Sequence, residues 1–105
     1  MSLAMDSTTA QTEVDELLLG PNSILVELRS LQGLDPTKYS RLVTAIHTLI
    51  DHYKGKTEVP KRLAVAFIDI SNYFYYTEDE YPKDQLDRLE DAAHELTYLA
   101  DKLFS

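Results

Sequence analysis

The sequence predicts an all-α protein, an antiparallel up-down-up-down four-helix bundle. Three observations lead there. Leu86, Leu89, Ala93, Leu96, Ala100 and Leu103 recur at spacings of 3, 4, 3, 4 and 3, which draws an apolar seam along a helix reaching Phe104. Tyr39, Leu42, Val43, Ile46, Leu49, Ile50 and Tyr53 repeat at helical intervals as well. The connections between such patterns are short and polar, and short loops join helices as antiparallel neighbours. A helix apolar on one side and acidic on the other needs partner helices to bury its seam, and the remainder of the chain supplies them.

Composition narrows the function classes. A chain of 105 residues is one domain of modest core size, read here as a flexible tail over 1–11 and a four-helix bundle over 12–105. Its formal net charge of -8 gives nothing to displace counterions from phosphates, so nucleic acid is not an expected partner. Anionic membrane surfaces are disfavoured for the same reason. With no cysteine, thiolate zinc sites, cysteine nucleophiles and disulfides are excluded, which suits a reducing cytoplasm. The longest unbroken apolar run, Leu63 to Ile68, is six residues, far short of a membrane span. The start, MSLAMDSTTAQ, has neither a basic nor an apolar region of the secretory kind. Met5 offers an alternative start, so residues 1–4 are set aside.

In chain order, the first helix spans Thr12 to Gln32. Val14, Leu17 and Leu18 form one apolar face, and Ile24, Leu25, Leu28 and Leu31 form another. Gly20-Pro21 between them either kinks or breaks the helix, because proline removes a donor and clashes one turn back. Gly33 stands where a glycine would end it. The second helix runs from Pro36 to Lys54, with Asp35 to cap orphan amides, Pro36 preorganised for the first turn and Gly55 at its close. The third opens at Pro60 and carries the seam Leu63, Phe67, Ile70 and Phe74. On a helical projection Arg62, Val65, Asp69, Asn72 and Tyr76 point away from it. The run AFIDISNYFYY is rich in strand formers, but the spacing of its seam favours helix. Thr77 to Asp84 connects to the fourth helix. Either Thr77 and Glu80 form a capping box, or Pro82 and Asp84 open the helix themselves.

No catalytic signature is present. His47 and Asp51 lie four apart on the second helix, a spacing that can share a metal, but no further ligand pattern converges on them. Eighteen carboxylates make accidental acid pairs inevitable, and solvated helix faces account for them. There is no glycine-rich phosphate loop and no nucleophile elbow. We therefore assign no catalytic residue, metal or cofactor. His52-Tyr53-Lys54-Gly55 is similar to the histidine phosphotransfer pattern, with Lys-Gly one residue too close to the histidine. That leaves an alternative function, a phosphotransfer or signalling adaptor using His52.

The tyrosines carry the better signal. Tyr73, Tyr75, Tyr76 and Tyr81 cluster at the junction of the third and fourth helices, and exposed tyrosine offers large contact area with a polar tip. Tyr76 reads equally as a contact or as part of a tyrosine rim, and Tyr75 favours the rim. Lys83 and Arg88 rise beside them from acidic surroundings. Tyr73, Tyr76, Tyr81, Lys83 and Arg88 are the candidate partner-binding residues.

From Asp35 to Leu103 the chain resembles the bacteriocin immunity proteins of the enterocin A type. The likeness rests on PTKYSRLVTAI at the start of the second helix, VPKRLAVAFIDISNYFYYT over the third, and TEDEYPKDQLDRLEDAAHEL leading into the fourth. The resemblance implies an antiparallel four-helix bundle in the cytoplasm that protects the cell from class IIa, pediocin-like bacteriocins. It implies a partner: the membrane components of the mannose phosphotransferase permease with bacteriocin engaged, recognised from the inner face without membrane insertion. It also implies that the C-terminal half, here the junction of the third and fourth helices and the fourth helix, selects which bacteriocin is resisted. The chain departs from the family in stopping almost immediately after the fourth helix and in carrying Gly20-Pro21, and the first departure puts tail-based selection in doubt.

Overall fold

The computed structural model describes residues 5–68 and 70–105. It is all-helical, and no strand occurs among the described residues. Five α-helices, α1 (Ser7–Leu19), α2 (Ile24–Arg29), α3 (Pro36–Tyr53), α4 (Lys61–Phe67) and α5 (Lys83–Phe104), are joined by loops and by a 3₁₀ segment at Ile70–Phe74. Helix α1 packs on α3 and α4, α3 on α5, and the 3₁₀ segment on α5. Among the described residues no helix is long and apolar enough to cross a membrane.

The first helix starts earlier than its apolar pattern suggested. Asp6 accepts a hydrogen bond from the Thr9 amide at 2.7 Å and caps α1, so Ser7 to Gln11 are helical rather than a tail, and Ala10 is fully buried. Gly20-Pro21 breaks the helix outright. A Cβ at Gly20 would lie 2.6 Å from the Glu16 carbonyl oxygen, a distance no side chain tolerates, so only glycine fits there. The buried Ser23 then restarts the chain, its Oγ accepting from the Val26 amide at 3.1 Å. This N-cap makes α2 a separate helix.

The end of α2 corrects the expectation placed on Gly33. The Leu31 amide donates to Leu28 O at 3.1 Å and the Gln32 amide to Glu27 O at 2.9 Å, the paired bonds of a Schellman motif. Its left-handed position is Leu31, with φ 60°, where glycine is the usual occupant. Gly33, with φ 84°, instead turns the loop into α3. That helix has the expected limits. Asp35 caps it through the Thr37 and Lys38 amides at 2.9 and 3.1 Å.

The third segment keeps its seam but not its helix. Leu63, Phe67, Ile70 and Phe74 are all buried, yet α4 ends at Phe67 and Ile68 adopts ψ 125°. Beta-branched side chains lose rotamer freedom in a helix, and Ser and Asn compete for its backbone groups. Ile70 and Asn72 lie in the 3₁₀ segment that follows. Asp69, projected outward from the sequence, lies outside the described residues. Arg62, Val65 and Asn72 face solvent as projected. Of the two alternative start signals before α5, the proline is the one that precedes the helix, and Thr77 with Glu80 forms a separate turn and not a capping box. Glu80 reaches back to the Thr77 amide at 2.9 Å and closes a turn, and Pro82 stands immediately before α5.

Leu89, Ala93, Leu96 and Leu103 of the α5 seam are buried, joined by Ala92 and Leu99, while Leu86 and Ala100 are partly covered. Burying a leucine contributes about 1.5–3 kcal/mol. That is how α2 and α4, too short to persist alone, are held through Leu28, Leu63 and Phe67 in the common core.

Candidate functional site

One exposed apolar surface gathers residues from α1, α4, the residue after α4 and the 3₁₀ segment. Leu19 ends α1, Val65 lies on the outer face of α4, Ile68 follows it, and Tyr73 stands in the 3₁₀ segment. They are 49%, 56%, 61% and 43% exposed and line one shallow groove of about 210 Å³ with Arg29. The helix breaks create this surface. Were α1 to continue through Gly20, or α4 through Ile68, these side chains would be spread around continuous helices instead of converging. Contiguous exposed apolar side chains mark interaction surfaces more often than scattered ones do.

Of the five candidate contact residues, the structure brings Tyr73 alone into this patch. Tyr81 is a core residue, 4% exposed. Its hydroxyl donates to Leu28 O at 2.7 Å and accepts from the Gly33 amide at 3.1 Å, so it ties the α2–α3 loop to the start of α5 and presents nothing to a partner. Tyr76 is partly buried against it, the rings edge to face with centroids 5.2 Å apart. Burial, and then the neighbouring Tyr81, pushes the Tyr76 phenol upward from its ordinary pKa. Of the two alternatives for Tyr76, the rim fits better. Tyr75, by contrast, is exposed. Lys83 opens α5 and is exposed. Leu19, Val65 and Ile68 were missed by sequence. Val65 was legible as an outward residue, but Leu19 and Ile68 join the patch through helix ends that periodicity does not reveal.

Arg88 belongs to a second concavity, a cleft of about 460 Å³ between α5 and the loop and first turns of α3. Leu34, Pro36 and Tyr39 form one wall, and Arg88, Asp91 and Glu95 lie along the other. The Tyr39 hydroxyl donates to Glu95 Oε1. Burial, then Glu95 and Asp91, hold the Tyr39 phenol well above its ordinary pKa.

Three interhelical carboxylates are matched by cations. Glu13 holds Arg41 through two bonds of 2.9 and 2.7 Å, Glu27 holds Lys38 at 2.6 Å, and Asp15 holds Arg62 at 3.0 Å. His52 is exposed in the last turn of α3, its Nε2 3.4 Å from Lys56 Nζ. Among the described residues no three His, Asp or Glu side chains are placed to hold a metal ion.

No protein-family model, no curated protein and no solved structure matches the chain. The described surface carries a group of exposed apolar side chains around one groove and, apart from it, a cleft lined by both apolar and charged residues.

Proposed function

We propose that this protein is a non-enzymatic recognition bundle of the bacteriocin immunity type. It protects the cell from class IIa bacteriocins by binding the membrane components of the mannose phosphotransferase permease once bacteriocin has engaged them. It acts from the cytoplasmic side. The observation that carries this reading is the patch of Leu19, Val65, Ile68 and Tyr73, an apolar surface in a chain whose remaining surface is strongly acidic. Apolar and aromatic side chains supply the buried centre of most partner contacts. Part of the patch lies on the segment leading to the fourth helix, where the family resemblance places selectivity.

The accompanying architecture is an up-down-up-down bundle of four helical arms: α1 with α2, α3, α4 with the 3₁₀ segment, and α5. Two observations support it. Glu13 meets Arg41 while Asn22, in the break before α2, meets Lys38, the order expected if the first arm and α3 run in opposite senses. Pro36 and Tyr39 share a cleft with Arg88 to Glu95, and Ile50 and Tyr53 share another with Tyr98 to Leu103, the order expected if α3 and α5 run in the same sense.

Capture from detergent-solubilised membranes of a sensitive strain tests the partner. Permease components should be retained on immobilised protein when a class IIa bacteriocin is present and not in its absence. Capture that returns no permease component under either condition would contradict the proposal.

A further inference from the structure

We infer that the groove between the ends of α1, α2 and α4 docks a partner polypeptide through one or two apolar side chains and a carboxylate that pairs with Arg29. The inference rests on reading this groove as the recognition surface, and it names the chemistry of the segment that occupies it.

Size selects the class of occupant. The groove holds about 210 Å³, below the roughly 300–1,000 Å³ of small-molecule pockets. That space suits one or two side chains of a polypeptide, the way a helix sets apolar anchors into a shallow groove. Leu19, Val65, Ile68 and Tyr73 give it an exposed apolar rim. A second copy of the chain is the poorer occupant, because two bodies of formal charge -8 repel each other.

Charge selects the chemistry. The chain has 18 carboxylates against 10 lysines and arginines, and other clefts on the molecule carry that excess. Asp91 and Glu95 line one, Glu16 a second, Asp15 a third, and Asp51 and Asp101 a fourth. Among the described residues this groove is lined by no carboxylate and by one cation, Arg29. Arg29 is exposed in the last turn of α2, and among the described residues no carboxylate lies within ion-pair distance of it. Glu80 is, with Arg29, a charged neighbour of the Tyr76 phenol, but its carboxylate is held by the Thr77 amide and hydroxyl at 2.9 and 3.1 Å. Arginine among apolar and aromatic side chains is the composition of contact centres. A carboxylate brought there gains a charge-assisted bond beside a surface that excludes water.

Two capped, alanine-rich helical peptides test this in titrations of the full chain followed through backbone amide resonances. Both carry leucines at i, i+3 and i+7; one has glutamate at i+4 and the other glutamine. The glutamate peptide should give saturable shifts confined to Leu19, Arg29, Val65, Ile68, Tyr73 and their neighbours. It should saturate at a concentration at least about threefold lower than the glutamine peptide. Arg29→Gln should abolish the preference and Arg29→Glu should reverse it. Both variants should keep the parent's unfolding midpoint, since Arg29 is exposed. Equal affinity of the parent for the two peptides, a preference that survives Arg29→Gln, or no saturation with either peptide would overturn the inference. So would shifts at the same residues that grow with protein concentration alone, which assign the groove to a second copy. Permease capture that fails while the peptides are told apart removes the permease and keeps the carboxylate-bearing partner. Capture that succeeds while the peptides are not told apart removes the carboxylate alone.

Discussion

The Tyr81 hydroxyl donates a 2.7 Å hydrogen bond to the carbonyl of Leu28, a residue 53 positions earlier in the chain. The same oxygen accepts from the Gly33 amide. One side chain thus adds a second bond to a carbonyl near the end of α2, which also accepts from the Leu31 amide, and pairs an amide of the loop behind it. Tyr81→Phe removes both bonds while keeping the ring. Chemical denaturation should show a loss of about 1–3 kcal/mol, the cost of leaving the Gly33 amide without its partner while Leu28 O keeps only the Leu31 amide. A loss near zero would mean that water replaces the hydroxyl.

Leu31 offers the opposite change. It occupies the left-handed position of the Schellman motif with φ 60° and is 55% exposed, so it contributes little packing to offset the strain. Leu31→Gly should raise stability by about 1 kcal/mol, because left-handed backbone costs an L residue about 1–2 kcal/mol and glycine loses part of that gain to unfolded-state entropy. Thermal unfolding would show an increased melting temperature. A decrease would mean that the leucine makes contacts stronger than the strain.

Gly20→Ala should be harmful. The added Cβ meets the Glu16 carbonyl oxygen at 2.6 Å. The Glu16 oxygen is backbone and a Cβ has no rotamer, so the contact cannot relax by a rotamer change. A destabilisation of about 1–3 kcal/mol is expected, as for other forced insertions of a methyl group into packed structure. The α1–α2 junction would take the damage first, visible as faster amide exchange at Ser23 and Val26.

Asp6 gives a pH dependence with a definite sign. Hydrogen bonds from the Thr9 amide and hydroxyl hold its carboxyl below the ordinary value of 3.8. A folded pKa below the unfolded one means stabilisation that is complete above the unfolded value and lost as pH falls through the folded value. Asp6→Ala should therefore be less stable than the parent at neutral pH. The gap between their melting temperatures should close as the solution is taken below about pH 3.8. A gap that is constant with pH would remove the charged cap from the account.

The parts of the fold that periodicity governs were legible in the sequence. Pro36–Tyr53 falls within one residue of its expected limits, because Asp35 and Pro36 mark its start and one apolar face runs its whole length. The α5 seam was legible too, although Ala92 and Leu99 widen it. Elsewhere local chemistry competes with pattern. The buried seam from Leu63 to Phe74 was identified, yet the chain there is a short helix and a 3₁₀ segment, since low helix propensity at Ile68 to Asn72 outweighs an otherwise helical spacing. Asp6 was overlooked because only Ala10 in the first turns of α1 marks the core.

The candidate site was less legible for a related reason. Tyr73 could be found from composition, and Arg88 was found without its cleft. Tyr81 looked like its tyrosine neighbours in sequence, and only the distant Leu28 and Gly33 reveal it as a core residue. Leu19 and Ile68 lie at helix ends, where exposure is set by how the chain turns and not by period.

The patch of Leu19, Val65, Ile68 and Tyr73 is the proposed recognition surface for the bacteriocin-engaged permease. Expression in a bacteriocin-sensitive strain, challenged with a panel of class IIa peptides, tests it most directly when the parent is compared with Val65→Ser, Ile68→Ser, Tyr73→Ala. All three side chains are exposed, so the variant should keep the parent's helical content and unfolding midpoint. The account predicts survival with the parent against at least one peptide and killing with the folded variant. Killing unchanged by the parent across the whole panel, or equal protection by the variant, would contradict it.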